Sequence, residues 1–362
     1  MGKRFLLIAP TFYDYFELIK ERLSLLGYIV DFIPVSYGEI FYANKNGFLK
    51  IGELIKNPGL IKTMKKNKSL GRELLKTKYD ECLVINTFPF PVNILRTLRE
   101  MGCIVKLFLW DDLNLLSNVT SVVPEFDGVF SFNYPDVLKL RNILPDCRNK
   151  IFYLPDFYIK QNDYKAVCEY DVCFIGTLNI NTTERYKILG QLEKYPLKKF
   201  FYLKYNLGGP VKYNLLKMIW HLIQPKKLKE FRKLLQNIES SDINFAHKES
   251  LSLNQIRDIE RKSRCIVDLS HLDRQGMTLN AVSAIGNNKK LITTNYTIKG
   301  APFFAPENIL IISPQNPNIP NEFLSSEMRN LDISCLEIGN WIRMIFDKEY
   351  YNSHIHKVTY VY

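Results

Sequence analysis

The chain has 362 residues, 46% hydrophobic and 24% charged. That is a globular balance with enough apolar material for sizeable cores, and two domains are expected at this length. Its seven cysteines are odd in number and form no CxxC pair, which argues against a disulfide framework or zinc site and for free thiols in a reducing compartment. The net charge of +12 suits an anionic partner, and no apolar run approaches the ~20 residues of a spanning helix.

The opening Met1–Pro10 imitates a signal peptide, but its apolar stretch is short and soon meets Asp14, so Phe5–Ala9 reads as a buried first strand. Tyr13–Leu26 follows as an amphipathic helix closed by Gly27, and Tyr28–Val35 as the second strand. Residues 36–78 are less regular and rich in lysine. Strands recur at Glu81–Asn86, Ile104–Leu109, Gly128–Phe132 and Ile151–Leu154, with helices at Pro91–Met101 and Pro135–Leu144 between them. Gln161–Lys165 reads as a linker. The alternation then restarts: strands are expected at Asp171–Ile175, Lys199–Leu203, Asp242–Ala246, Cys265–Leu269, Lys290–Thr293 and Asn308–Ile312. Helices are expected at Thr182–Tyr195, Ser252–Ser263, Met277–Gly286 and Ile333–Phe346. This predicts an α/β protein of two Rossmann-like domains in tandem, residues 1–165 and 166–362, with an interdomain cleft at the strand ends. The last helix could pack back on the first domain.

Chemistry-bearing residues gather where strands run out. After Cys265–Leu269 come His271, Arg274, Gln275, Gly276 and Met277, with Thr278 in the first turn of a helix. Free N–H groups and a partial positive charge make such a helix start a place for phosphate. Gly176 and Thr177 end another strand; the glycine permits close backbone approach, and Arg185 carries a planar fork suited to a diphosphate. Lys106–Asp112 takes a buried strand into Asp111 and Asp112, where a general base facing a cleft would sit, with Asp14 a further candidate. His247 lies near another strand end. Each feature also has a plain structural reading as a cap, a tight turn or a solvated loop group.

In this order the junctions resemble bacterial glycosyltransferases of the GT-B class. Within it they look most like CgeB-like enzymes and their relatives in lipopolysaccharide and capsule gene clusters. The likeness rests on Leu6–Tyr15 with Leu26–Phe32, Phe108–Asp112, Asp171–Thr177 with Arg185, and Val267–Asn295. It implies a nucleotide-sugar donor held mainly by the second domain, where Gly176, Thr177, Arg185, His247, His271, Arg274, Gln275, Gly276, Met277, Thr278 and Ser283 are the candidate contacts, and an acceptor held by the first. It also implies Asp111 as the base and no metal or other cofactor, and the chain has no DxD motif. The family often places a glutamate in the helix after the Gly-Leu-Thr motif and an arginine earlier in it. Here Ser283 and Asn280 stand at those positions, which leaves the donor open.

Between Lys194 and Lys233 there are eleven basic residues and one acid, interleaved with aromatic side chains. Lys212–Ile223 and Lys226–Leu235 read as two helices hinged at Pro225. Lys212, Trp220, Lys226, Lys227 and Lys229 suit contact with an anionic membrane surface, although lysines on a solvated face would look the same. The whole is read as a cytoplasmic glycosyltransferase, peripheral on the inner face of the cytoplasmic membrane. Its acceptor would be a lipid-linked oligosaccharide for O-antigen, lipopolysaccharide or capsule. A nucleotide-sugar epimerase on the same architecture and a basic regulatory or nucleic-acid-binding protein are the alternatives. No nucleic-acid-binding signature is present, so nucleic acid is not the expected partner.

Overall fold

A computed structural model describes residues 2–10, 15–35, 76–86, 92–113, 116, 119–161, 167–205, 225–241, 243–269 and 276–359. Asp14, Lys212, Trp220, His271, Arg274 and Gln275 lie outside the described residues, as do the Lys227 side chain and the helix expected over Lys212–Ile223. The chain divides into two compact units. One takes Met1–Tyr158, Gln275–Met277 and Ile333–Tyr362, and the other Ile159–Arg274 and Thr278–Asp332.

In the first unit, β1 (Arg4–Pro10), β2 (Ile29–Val35), β3 (Glu81–Ile85), β4 (Ile104–Leu109), β5 (Gly128–Ser131) and β6 (Ile151–Tyr153) form a parallel sheet in the order β2-β1-β3-β4-β5-β6. Phe5, Leu6, Leu7 and Ile8 are fully buried. Consecutive residues of a strand point to opposite faces, so such a run marks a strand covered on both sides. Helix α1 (Tyr15–Leu25) buries Ile19 and Leu23 and gives way at Gly27, whose φ of +88° suits a residue without Cβ. Helices α2 (Val92–Glu100) and α3 (Tyr134–Ile143) follow β3 and β5. Between β1 and β3 the chain reverses its direction of growth across the sheet. In open α/β sheets, ligands bind outside the carboxyl ends of the strands at such a point.

The second unit repeats the plan with β7 (Tyr170–Leu178), β8 (Lys199–Tyr205), β9 (Ala246–His247), β10 (Ser263–Asp268), β11 (Lys290–Thr293) and β12 (Ile309–Ile311). These strands are parallel in the order β12-β11-β10-β7-β8-β9, so the reversal falls between β7 and β10. One sheet face, with Val172, Phe174, Phe201, Leu203 and Val267, packs against Ile188, Leu189 and Leu192 of α4 (Glu184–Leu192) and Leu235 and Ile238 of α5 (Pro225–Glu239). Helix α6 (Leu253–Arg261) opens on a reciprocal cap between Ser252 and Gln255. Helix α7 (Leu279–Gly286) buries Ala281, Val282, Ala284 and Ile285, and the short α8 (Asn321–Ser325) buries Phe323 and Leu324. Lys290 is buried, its ammonium donating to the carbonyls of Phe323 and Ser326 and to the Ser326 hydroxyl. A lysine taken from water needs several such acceptors.

After Asp332 the chain belongs to the first unit again. Helices α9 (Ile338–Phe346) and α10 (Lys348–His354) lie against the first sheet. Trp341 is fully buried, donates its indole N–H to the Pro155 carbonyl at 2.9 Å and meets the Phe108 ring edge-on at 4.7 Å. Tyr351 donates to the Tyr153 carbonyl at 2.7 Å.

Several local expectations shift, and the helix expected over Ile333–Phe346 begins at Ile338. Strand β7 runs on through Gly176 and Thr177 to Leu178, because these residues pair with Leu203, Lys204 and Tyr205 of β8. Of the strand expected at Asp242–Ala246, Asp242 lies outside the described residues, and among the others only Ala246 is in a strand, Ala246–His247, since the pairing to β8 extends only over Leu203 and Lys204. The helix expected from Met277 starts at Leu279, because Thr278 is extended and caps it.

Candidate functional site

At the carboxyl end of the first sheet, Asn86 follows β3 with a φ of +65° and is 1% exposed. Left-handed backbone is tolerated by asparagine better than by most side chains. Its backbone N–H donates to the Phe108 carbonyl at 2.7 Å. Its side-chain oxygen accepts from the N–H groups of Trp110 (2.7 Å) and Asp111 (3.1 Å), and its Nδ2 donates to Asp111 Oδ2 at 2.8 Å. On the other flank of β4, Asn133 donates its Nδ2 to Asp112 Oδ1 at 3.2 Å, and Asp136 accepts from the Leu113 N–H at 2.9 Å. Both expected acids are half-buried, and each is held by an asparagine that follows a neighbouring strand. The Trp110 ring lies 5.8 Å from that of Tyr15 and 6.0 Å from that of Phe157, a three-ring cluster beside the acids.

At the carboxyl end of the second sheet, Arg185 on α4 sits at the reversal point. Its Nε donates to the Leu269 carbonyl and its Nη1 to the Thr177 carbonyl, both at 2.9 Å. One guanidinium thus ties the end of β7 to the residue after β10. The Phe174 ring lies beneath it, 6.0 Å from the guanidinium carbon. Gly176 is needed here for packing: a Cβ would stand 2.6 Å from Phe174 Cζ and 3.5 Å from Arg185 Nη1. Thr278 accepts from the Ala281 N–H and donates to Asp268 Oδ1 at 2.9 Å, and Asp268 itself is 4% exposed. Ser283 is half-buried within α7; its carbonyl accepts from Asn287 Nδ2 at 3.0 Å, and the same asparagine grips Ile159 and Gln161.

Gly276 and Met277 are buried and grouped with the first unit. A Cβ on Gly276 would meet Phe132 Cδ2 at 2.6 Å and its carbonyl oxygen at 2.8 Å, so this glycine allows a close backbone approach within the protein. His247 lies in β9, stacked on Tyr202 at 4.0 Å between ring centroids, and burial lowers its pKa. On α5, Lys226 and Lys229 are exposed.

Asn86, Asn133 and Asp268 were not anticipated as site residues. An asparagine directly after an apolar strand hints at a left-handed turn, but nothing in the spacing says which carboxylate it reaches. Among the described residues, no group of three or more His, Cys, Asp or Glu side chains could hold a metal ion. No helix among them is long and apolar enough to cross a membrane.

No family model matches the sequence, and no curated protein sequence matches it. Solved structures do match over the full chain. A trehalose-6-phosphate synthase studied with bisubstrate glycomimetics aligns with a TM-score of 0.54 at 12% identity, over 99% of this chain and 100% of that one. A putative UDP-N-acetylglucosamine 2-epimerase from Listeria monocytogenes aligns at 0.53 and 10% identity, over 100% of both chains. The S. aureus MnaA–UDP complex aligns at 0.52 and 12%, over 99% of this chain and 100% of that one. Identities this low speak for architecture alone. The chain has the α/β fold of two Rossmann-like units that these GT-B proteins share.

Proposed function

We propose that this protein is a GT-B glycosyltransferase that moves a sugar from a nucleotide-sugar donor to a lipid-linked surface-polysaccharide acceptor, without a metal cofactor. The observation that carries the reading is the reversal point of the second sheet. There Arg185 joins the β7 and β10 ends, beside the Thr278-capped start of α7. This is the place in the fold where a diphosphate is expected. His271, Arg274 and Gln275 would add charge and hydrogen bonds from the preceding loop, and His247 would contribute at the β9 end. Asp111 would take the proton of the attacking acceptor hydroxyl, with Asp112 and Asp14 as the other candidates. The resemblance to CgeB-like enzymes supports a surface-polysaccharide acceptor. The basic residues of α5 support docking on anionic lipid.

A series of melting curves with UDP, GDP, CDP and dTDP tests the nucleotide site. One nucleotide is expected to raise the melting temperature, and no rise with any of the four would refute the reading. Asp111→Asn is expected to keep that rise while losing turnover by about 10²–10⁴-fold. The likeness to a 2-epimerase favours a second reading, nucleotide-sugar epimerisation. Epimer or free sugar formed without any acceptor would select it.

A further inference from the structure

We propose that Trp110 is the stacking platform for the acceptor, and that the acceptor's reacting unit is a pyranose sugar and not a lipid phosphate. The inference deepens the reading of the first unit as the acceptor side and rests on it. Trp110 follows β4 at the carboxyl end of the first sheet, directly before Asp111. It is half-buried, whereas Trp341 is fully buried and donates its indole N–H to the Pro155 carbonyl. Among the described residues no acceptor meets the indole N–H of Trp110. A tryptophan set into a structure usually finds one. This donor is left to water or to a ligand.

The ring is held from both its main chain and its side chain. The Trp110 backbone N–H donates to the side-chain oxygen of Asn86 at 2.7 Å, and Asn86 is 1% exposed. The Trp110 ring lies 6.0 Å from that of Phe157, which in turn lies 4.9 Å from that of Trp341, and both of these partners belong to the core. Tyr15 meets Trp110 at 5.8 Å with the ring planes 67° apart. An aromatic ring fixed in this way loses little freedom when a ligand binds. The face of an indole is negative. The C–H bonds along one face of a pyranose are slightly positive and suit that surface, while the hydroxyl groups at its rim both accept and donate. One hydroxyl can accept from the indole N–H, and the neighbouring Asp111 and Asp112 are acceptors by type. A terminal phosphate offers no C–H face and brings its charge towards two acids. The acceptor therefore already carries a sugar. Transfer here extends a glycan, and a separate sugar-transfer reaction onto the lipid comes first.

The test needs no donor. The chain has three tryptophans, Trp110, Trp220 and Trp341, and their emission is followed while the methyl glycosides of glucose, galactose, mannose and N-acetylglucosamine are added, and separately farnesyl phosphate. At least one glycoside is expected to shift the emission, and the shift is expected to vanish in Trp110→Phe. By saturation-transfer NMR the same glycoside is expected to bind Trp110→Phe a few-fold more weakly. Trp110→Leu, which keeps apolar bulk without an aromatic face, is expected to weaken it about tenfold. Trp110→Phe retains a ring and decides the matter if Trp110→Leu does not fold. No response of the wild type to any glycoside, or an equal response in Trp110→Phe, overturns the proposal. So does a shift that depends on Trp110 and is given by farnesyl phosphate alone. A glycoside that binds at Trp110 in a protein whose melting no nucleotide raises keeps the sugar platform and removes the transferase. A nucleotide-dependent rise without any glycoside response keeps the transferase and removes the platform.

Discussion

Arg185 shows how a residue singled out for its type can have immediate partners that the sequence does not indicate. The sequence marks it as a planar fork near a strand end. In the structure two of its donors are already committed, to the carbonyls of Thr177 and Leu269. A charge-assisted hydrogen bond contributes about 1–3 kcal/mol, so Arg185→Ala is expected to lower the unfolding free energy by that order in urea titration. Arg185→Lys should recover little of it, because a single ammonium cannot reproduce the fork. If the guanidinium also meets the diphosphate, both variants weaken nucleotide binding. Binding that survives in a destabilised variant assigns Arg185 to the sheet alone. Gly176 and Gly276 follow the same logic, since each is explained by a neighbouring ring, Phe174 or Phe132.

Among elements, strands were readable because a parallel sheet covered on both faces favours runs rich in hydrophobic residues. Ile104–Leu109 and Lys290–Thr293 coincide with β4 and β11. The β9 segment was misread because a two-residue strand carries too short a pattern, and its extent depends on what pairs with it. Helix α5 extends beyond the expected Leu235 to Glu239, burying Leu235 and Ile238 while Lys226, Lys229, Arg232 and Lys233 stay exposed. A basic face of this kind gains about 1 kcal/mol per charge near anionic lipid. Reversing Lys226, Lys227 and Lys229 to glutamate is expected to lower co-sedimentation with phosphatidylserine vesicles at low salt and to leave nucleotide-dependent melting unchanged. Equal co-sedimentation of the two proteins counts against membrane docking.

For the whole molecule, all seven cysteines are free, and only Cys168 is exposed. Burial pushes the thiols of Cys103, Cys173 and Cys265 up to about 12 and that of Cys82 well above its usual value. Since the thiolate is the reactive form, iodoacetamide at pH 8 is expected to label Cys168 quickly in the native protein and the other six only on unfolding. Mass spectrometry of peptides from native and denatured protein reads this directly. By itself the sequence determined the α/β class, most strand and helix positions and the gathering of chemistry at strand ends, because each follows from periodicity within about a dozen residues. Only the tertiary structure decided which strand ends meet and which groups face one another. Asn86 reaches Asp111 25 positions away, Arg185 reaches Leu269 across 84, and Trp341 reaches Pro155 across 186. No local pattern encodes such pairings, because they arise only when separate elements bury their apolar faces on a common sheet.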